Sequence, residues 1–157
     1  PDRPEPYLAL GMSLAKSGDL SGAQAVFDQG LSFLPESTVL TYNAALARAM
    51  RGDSDAAIRM FRKTLEREPG HVQARENLAG LLASLGRFQE SEAEFRAAIA
   101  VSPRDASTRV LLARVLLAQS KLADAKTQLK IALELDPLDT SAAELLRSLD
   151  DKISFDK

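Results

Sequence analysis

Side chains that could perform metal or nucleophilic chemistry are few in this sequence. The 157 residues include one histidine, His71, and no cysteine. Zinc sites in proteins are built mainly from these two residue types, so the commonest ligand sets cannot be assembled. A Ser-His-Asp arrangement would have to use His71, which follows Pro69-Gly70 in a predicted turn, where we expect an exposed side chain. The sequence therefore predicts neither a metal centre nor a nucleophilic triad.

Paired carboxylates offer no better catalytic candidate. Glu92/Glu94 and Asp150/Asp151 are predicted to lie on helix surfaces close to basic residues, where charged groups are usually solvated or weakly paired. The eight glycines are dispersed along the chain and do not form a phosphate-binding loop. We expect a protein that is not an enzyme, needs no cofactor and acts by binding.

Composition limits the class of partner. The chain is 45% hydrophobic and carries a net charge of −2 from 20 basic and 22 acidic residues, which fits one domain with a continuous core. Its basic residues are interspersed with acidic ones, so nucleic acid is not an expected partner. No apolar run approaches the roughly 18 residues of a membrane span, so membrane insertion is not expected. The sequence predicts no signal peptide, and we interpret the proline-rich residues 1–6 as a linker or an excised boundary, so the sequence predicts no compartment.

The elements that position these residues are revealed by evenly spaced prolines. Pro35, Pro69, Pro103 and Pro137 each follow the last by 34 residues. A single packed core gives no reason for such spacing, whereas 34 residues is the length of one helix–turn–helix unit in a class of repeat proteins. With proline at position 32, the sequence predicts four repeats: 4–37, 38–71, 72–105 and 106–139.

Other columns of the repeat predict how each unit is built. Glycine at position 15 ends the first helix, because it adopts a left-handed conformation without steric cost. Asp19 and Asp53 follow two of these glycines and suit the N-cap of the second helix. Small residues at position 20 let helices approach closely, the aromatic column at position 24 fills the space between repeats, and proline stops the second helix. The columns are Gly18, Gly52, Gly86 and Ser120; Ala23, Ala57, Ser91 and Ala125; and Phe27, Phe61, Phe95 and Leu129.

These patterns resemble tetratricopeptide repeats. The resemblance rests on Gly-Asp-x-x-x-Ala at Gly18–Ala23, its equivalent at Gly52–Ala57, and the segment Ala132–Pro137. It covers residues 4–139 and implies an all-α, right-handed solenoid of four helix–turn–helix repeats. Residues 140–157 are predicted to form a capping helix and tail, or alternatively part of a truncated further repeat.

Two details of the predicted fold depart from the simple pattern. In the capping helix, Thr140 is the expected cap and Ala143, Leu146 and Leu149 the expected apolar face. Arg48 and Thr41 fall where the family places apolar contacts. Therefore either the first helix of the second repeat is loosely packed, or Arg48 extends its aliphatic stem over the core and keeps its guanidinium in water.

By resemblance, the first helix of each repeat lines a concave groove. The residues at these positions form an apolar strip in the first two repeats, and an exposed strip of this kind usually marks an interaction site. Asparagines share one position in consecutive repeats, and their amides can pair with an extended peptide backbone. The predicted groove residues are Leu8, Met12, Tyr42, Asn43, Leu46, Met50, Asn77 and Leu111.

Several alternatives stay open for this groove. The register could be shifted by one so that some residues are core, a further N-terminal helix could cover the strip, or the asparagines could be unrelated. The lysines and arginine by which chaperone-binding members of the family clamp a carboxylate are missing. Of the matching positions, only Asn43 agrees, which argues against such a clamp.

The sequence thus predicts a non-catalytic interaction scaffold that binds a protein, as a peptide or a helical segment. One alternative is an accessory domain of a larger enzyme that positions substrate or mediates dimerisation. Another is a self-associating module that forms a homo-oligomer.

Overall fold

The computed structural model describes residues 3–155, with side chains as far as Asp151. Pro1 and Asp2 of the predicted linker and the last two residues of the predicted tail lie outside this range. Within it the chain forms nine helices and no strand, which confirms the all-α repeat class. The helices are α1 (Glu5–Lys16), α2 (Leu20–Phe33), α3 (Thr38–Met50), α4 (Ser54–Arg67), α5 (Val72–Ser84), α6 (Phe88–Val101), α7 (Ala106–Ala118), α8 (Leu122–Leu135) and α9 (Thr140–Phe155).

The helices belong to two compact units, which meet in the sequence at Leu81 and Leu82 within α5. In the first unit, α2 packs against both α1 and α3, α3 packs against α4, and α1 also contacts α3. In the second unit, α7 packs against α6 and α8, and α8 packs against α9. Each predicted repeat range holds two helices and α9 follows the fourth range, while the repeat boundaries themselves stay a prediction. None of the helices within residues 3–155 is both long and apolar enough to cross a membrane.

The glycines at position 15 adopt the left-handed conformation that the sequence predicts. Gly18, Gly52 and Gly86 have φ values of 89°, 84° and 72°, in the left-handed region that ends each first helix. Ser120 takes the same conformation in the fourth repeat, with φ 59°, although a residue with a Cβ adopts it at a cost. The position therefore demands the conformation whichever residue occupies it.

A second column, at position 34, supplies the N-caps of the helices that follow. Ser37 Oγ accepts a hydrogen bond from Leu40 N at 3.4 Å, and His71 Nδ1 accepts one from Ala74 N at 3.3 Å. The carboxylates of Asp105 and Asp139 accept backbone N–H groups of α7 and α9 in the same way. These N–H groups have no acceptor inside the helix. The four caps are Ser37, His71, Asp105 and Asp139.

The capping helix α9 differs from its prediction in register. Its N-cap is Asp139, whose carboxylate accepts from Ala142 N at 2.9 Å, and Thr140 is the first helical residue. Leu149 is buried as expected, but Ala143 is exposed and Ala142 is the buried alanine. The apolar face is therefore centred one residue earlier near the start of the helix.

The proline carbonyl groups also accept hydrogen bonds from arginine side chains at the junctions between helices. Arg75 Nη2 donates to Pro69 O at 2.9 Å, and Arg109 Nη2 donates to Pro103 O at 2.7 Å. At the first junction, Arg67 Nη2 donates to Pro35 O at 3.0 Å. In each case the arginine belongs to the next 34-residue repeat. Each of these carbonyls lies two residues past the end of the preceding helix, and the arginine supplies it with a side-chain donor.

Candidate functional site

An apolar pocket of about 210 Å³ lies in the first unit, between side chains of α1, α2 and α3. Its predominantly apolar character follows from the small and aliphatic residues that these helices turn toward one another. The residues that line it are Met12, Ala15, Lys16, Phe27, Asn43, Leu46, Ala47 and Met50.

The pocket has a buried base and an exposed mouth. Phe27 and Ala47 are almost completely buried, whereas Met12 is 44% and Met50 63% exposed to solvent. The position of the Phe27 ring depends on Gly11, because a Cβ at this glycine would lie 2.4 Å from Phe27 Cε1. Real side chains avoid such an approach, so glycine allows the ring to lie directly against the α1 backbone.

Four of the eight predicted groove residues line this pocket together: Met12, Asn43, Leu46 and Met50. Leu8 is half-buried and packs against the core cluster around Phe27, as the alternative of partial core membership anticipated. Leu111 lies on α7 in the second unit, where its side chain is exposed.

Tyr42 and Asn77 are tied to each other. Tyr42 OH accepts a hydrogen bond from Asn77 Nδ2 at 3.0 Å, and the Tyr42 ring lies 4.7 Å from the His71 ring and 6.1 Å from the Phe61 ring. Burial raises the pKa of the Tyr42 phenol, and the charge of Glu76 adds to this rise, against the opposing effect of the Asn77 hydrogen bond. Tyr42 is therefore a half-buried, fixed side chain and stays neutral at physiological pH.

The asparagine amides are partly used inside the chain. Asn43 Nδ2 donates to Val39 O at 2.8 Å, and Asn77 Nδ2 donates to Gln73 O at 2.8 Å as well as to Tyr42. An amide nitrogen has two hydrogens, so the donors of Asn77 are both engaged. The sequence predicted that Asn77 would offer a partner both a donor and an acceptor. In the structure it can offer only the acceptor Oδ1.

His71 is not the exposed loop residue that the sequence suggested. It is half-buried, it caps α5 through Nδ1, and its ring packs on Tyr42. The sequence does contain a signal for this role. His71 shares position 34 with Ser37, Asp105 and Asp139, and serine and aspartate are preferred N-cap residues.

Glu92 is held by three donors in the second unit. Its carboxylate accepts from Lys121 Nζ at 2.7 Å, Gln119 Nε2 at 2.8 Å and Arg96 Nε at 3.0 Å, and its side chain is 13% exposed. Burial by itself raises the pKa of Glu92, but these hydrogen bonds outweigh it and lower the pKa from 4.5 to about 2. The carboxylate ties the turn after α7 to α6 as a structural ion pair. In the part of the chain that the structure describes, no three His, Asp or Glu side chains group as metal ligands.

This ion pair predicts a pH-dependent stability. The unfolded chain protonates Glu92 near pH 4.5 and the folded chain only near pH 2, so the stabilisation is present above pH 4.5 and is lost as the pH falls toward 2. Because the carboxylate is partly solvated, we expect a loss of roughly 1–2 kcal/mol. Urea denaturation at several pH values in this range should show that the free energy of unfolding depends less on pH in Glu92→Gln than in the wild type. The exposed Glu134→Gln is the control, and equal pH dependence of both variants would contradict the prediction.

Solved structures with the same fold extend over nearly the whole chain. MamA 41-end from Desulfovibrio magneticus RS-1 has a TM-score of 0.88 at 19% identity, over 98% of this chain and 87% of that one. PilF of Pseudomonas aeruginosa has a TM-score of 0.83 at 22% identity, over 96% and 68%. The first TPR of Spaghetti (RPAP3), solved with the HSP90 peptide SRMEEVD, has a TM-score of 0.70 at 21% identity, over 74% and 93%. At these identities the likeness establishes the fold alone.

Sequence comparison leads to the same repeat class. The human FK506-binding protein-like is 32% identical in an alignment of 89 residues that covers 52% of this chain, and the chain spans about a quarter (26%) of that relative's length. Two family models described as tetratricopeptide repeat match residues 42–106 and 86–149. Together they cover the chain from α3 to α9, and this chain belongs to the tetratricopeptide repeat family.

Proposed function

We propose that this chain is a non-catalytic protein-interaction domain that binds a peptide or helical segment of a partner in the pocket between α1, α2 and α3. The observation that carries the proposal is the apolar mouth formed by Met12 and Met50. A helix face turned to water is ordinarily polar, and an apolar patch exposed beside a cavity is typical of an interaction site. The flexible thioethers of methionine let such a surface adapt to different side chains.

The size of the pocket favours a side chain as its occupant. Sites for drug-sized molecules measure about 300–1,000 Å³, and this pocket is smaller, at about 210 Å³. One apolar side chain of a partner fits the space better than a whole metabolite. The similar TPR domain of Spaghetti, which holds a peptide, supports this choice by analogy of fold.

Asn43 is the polar group best placed to fix the register of a bound segment. It lines the pocket, and its bond to Val39 O occupies one of its two N–H groups. Its Oδ1 and second N–H remain suited to a backbone N–H and C=O of the partner. Asn43→Ala is therefore expected to weaken binding by about 1 kcal/mol.

Selection from a phage-displayed library of random peptides tests the proposal. We expect the chain to enrich peptides that share an apolar residue. Leu46→Glu places a charge in the pocket and Ala15→Leu fills it, and each should weaken the enriched peptides by about tenfold or more. Ala15→Leu is needed because it is apolar and helix-compatible, so it separates loss of the pocket from loss of folding.

Leu138→Glu is the matched control, because the exposed Leu138 lies outside the first unit. It should bind like the wild type, with circular dichroism melting used to compare the folding of all variants. Equal binding by wild type, Leu46→Glu and Ala15→Leu, or no enrichment at all, would overturn the proposal.

The greater length of the FK506-binding protein-like relative, of which this chain spans about a quarter (26%), favours a second candidate function. The same fold could serve as one domain of a larger enzyme and position a substrate or mediate dimerisation. Light scattering tests the dimerisation, since a dimer that Leu46→Glu converts to a monomer would assign the pocket to self-association.

A further inference from the structure

We infer that the chain has a further binding site, for a phosphorylated side chain of a partner protein, in a pocket between α6, α7 and α8. This arginine pocket belongs to the second unit and measures about 280 Å³. The inference goes beyond the proposed function, because it concerns other residues and another ligand chemistry. The residues that line the arginine pocket are Arg96, Ile99, Ala100, Arg109, Leu112 and Gln128.

Arg109 is a half-buried cation that no acid neutralises within residues 3–151. Its Nη2 donates to Pro103 O at 2.7 Å and its Nη1 to Gln128 Oε1 at 3.1 Å, and both acceptors are neutral. Its Nε is buried and has no acceptor among the described residues. A buried donor without an acceptor is unfavourable, as is a desolvated charge without a partner. A small rotation of the guanidinium toward an anion in the pocket would relieve both.

Arg96 brings a second guanidinium to the same pocket. Its side chain is 49% exposed, and its Nε donates to Glu92 Oε1 at 3.0 Å. Its two terminal nitrogens have no acceptor in the part of the chain that the structure describes. They are therefore available to donate to a ligand at the rim of the pocket.

The charge around the arginine pocket favours a phosphate over a carboxylate. Arg96 and Lys121 share the carboxylate of Glu92, so that together with Arg109 this group has two more positive than negative charges. A phosphorylated side chain carries about −1.5 to −2 charges at pH 7 and three acceptor oxygens, whereas a carboxylate supplies a single charge. Arginine matches the oxygens of a phosphate with two parallel hydrogen bonds. The amide nitrogen of Gln128 adds a further donor, because only its Oε1 is used inside the chain.

The walls and the size of the pocket favour a side chain over a free ion or a metabolite. Ile99, Ala100 and Leu112 form apolar walls that inorganic phosphate would leave without contact. Sites for drug-sized molecules measure about 300–1,000 Å³, and the arginine pocket lies just below this range. A phosphorylated side chain places its phosphate between the guanidinium groups and its carbon atoms against the walls.

Gln128→Glu is the variant that tests the missing counter-ion. Gln128 Oε1 already accepts from Arg109, so glutamate at this position places a carboxylate beside the guanidinium. The third repeat carries an arginine and a glutamate, Arg75 and Glu94, at the matching positions of the sequence, so the family of repeats tolerates this pair. The variant supplies the anion from within the chain and should therefore exclude a phosphate by repulsion.

Degenerate peptide libraries test the inference without a known partner. Each library fixes one phosphoserine, phosphothreonine or phosphotyrosine between randomised residues, and its control carries the unphosphorylated residue. Fluorescence anisotropy gives the Kd of each pool. We expect one phosphorylated pool to bind the wild type about tenfold more tightly than its control, Arg96→Gln to reduce this preference and Gln128→Glu to abolish it. In ¹H–¹⁵N spectra of the wild type, that pool should shift the Arg109 Nε–H signal.

Gln29→Glu is the matched control, because it makes the same change at an exposed glutamine of α2 and should keep the full preference. Circular dichroism melting compares the folding of the variants. Phosphorylated pools that bind no better than their controls, or a preference that survives in Gln128→Glu, would overturn the inference. If inorganic phosphate alone shifts the Arg109 Nε–H signal while the pools show no preference, the site binds the free ion and the assignment to a partner is wrong. These outcomes leave the apolar pocket untouched, since Ala15→Leu tests it separately.

Discussion

Truncation of Phe61 to alanine is expected to lower the free energy of unfolding by about 3–5 kcal/mol. Phe61 lies on α4, is fully buried, and packs beside the Tyr42 ring. Removing its ring takes away apolar contacts and leaves a cavity that surrounding helices can only partly close. Urea denaturation followed by circular dichroism measures the loss.

Phe95 provides the same test in the second unit, where it is also buried on α6. Phe95→Ala should cost about as much as Phe61→Ala. The control is Phe33→Ala, an identical change at an exposed residue that stacks on Tyr7; it should cost less than either. Losses below about 1 kcal/mol for both buried residues would show that the aromatic column is not the core of the repeats.

Removal of the Asp28 carboxylate is expected to lower the free energy of unfolding by about 2–3 kcal/mol, which is below the range for a fully buried pair. Both oxygens of Asp28 accept from Arg48 Nη2, at 2.7 and 2.9 Å. The Arg48 side chain is 13% exposed and that of Asp28 43%. Asp28→Ala therefore leaves a largely buried cation without its partner, while solvent around Asp28 limits the penalty.

A second variant separates this electrostatic cause from lost packing. The equivalents of Arg48 in the other repeats are Leu14, Leu82 and Leu116, so Arg48→Leu supplies the apolar residue usual at this position. Asp28→Ala combined with Arg48→Leu should recover much of the stability that Asp28→Ala loses, because no unpaired charge remains. Glu66→Ala, at an exposed acid on α4, is the control, and a double variant no more stable than Asp28→Ala would contradict the explanation.

The helices were predictable because their ends depend on local backbone rules. Glycine and proline each restrict or permit particular dihedral angles, and their columns recur at one period, so α2 ends before Pro35 and Gly18 separates α1 from α2. The N-cap column was missed because it changes residue type along the chain, from Ser37 to His71 to aspartate. Chemical equivalence of a serine oxygen, a ring nitrogen and a carboxylate is visible only once the helix starts are known.

The site was less predictable, because its details depend on contacts between distant residues. Repeat position brought Met12 and Leu46 to one pocket, since the resemblance identified the helix face. Position alone could not show that Asn77 donates to Tyr42, or that Arg48 finds its partner 20 residues away on another helix. The space stays open because Ala15 in its lining is small, and Gly11 lets the Phe27 ring at its base lie against the α1 backbone.

The arginine–proline bonds have a consequence for how this chain could change in length. On the proposed repeat division, the arginine that closes a junction is encoded in the following repeat, at the same position in Arg75 and Arg109. Deleting residues 72–105 would place Arg109 after Pro69 at the spacing that Arg75 now has, so the new junction would carry its own donor. Loss of residues 72–105 thus preserves this joint, whereas an insertion between Pro69 and Arg75 would change the six-residue spacing on which the bond depends.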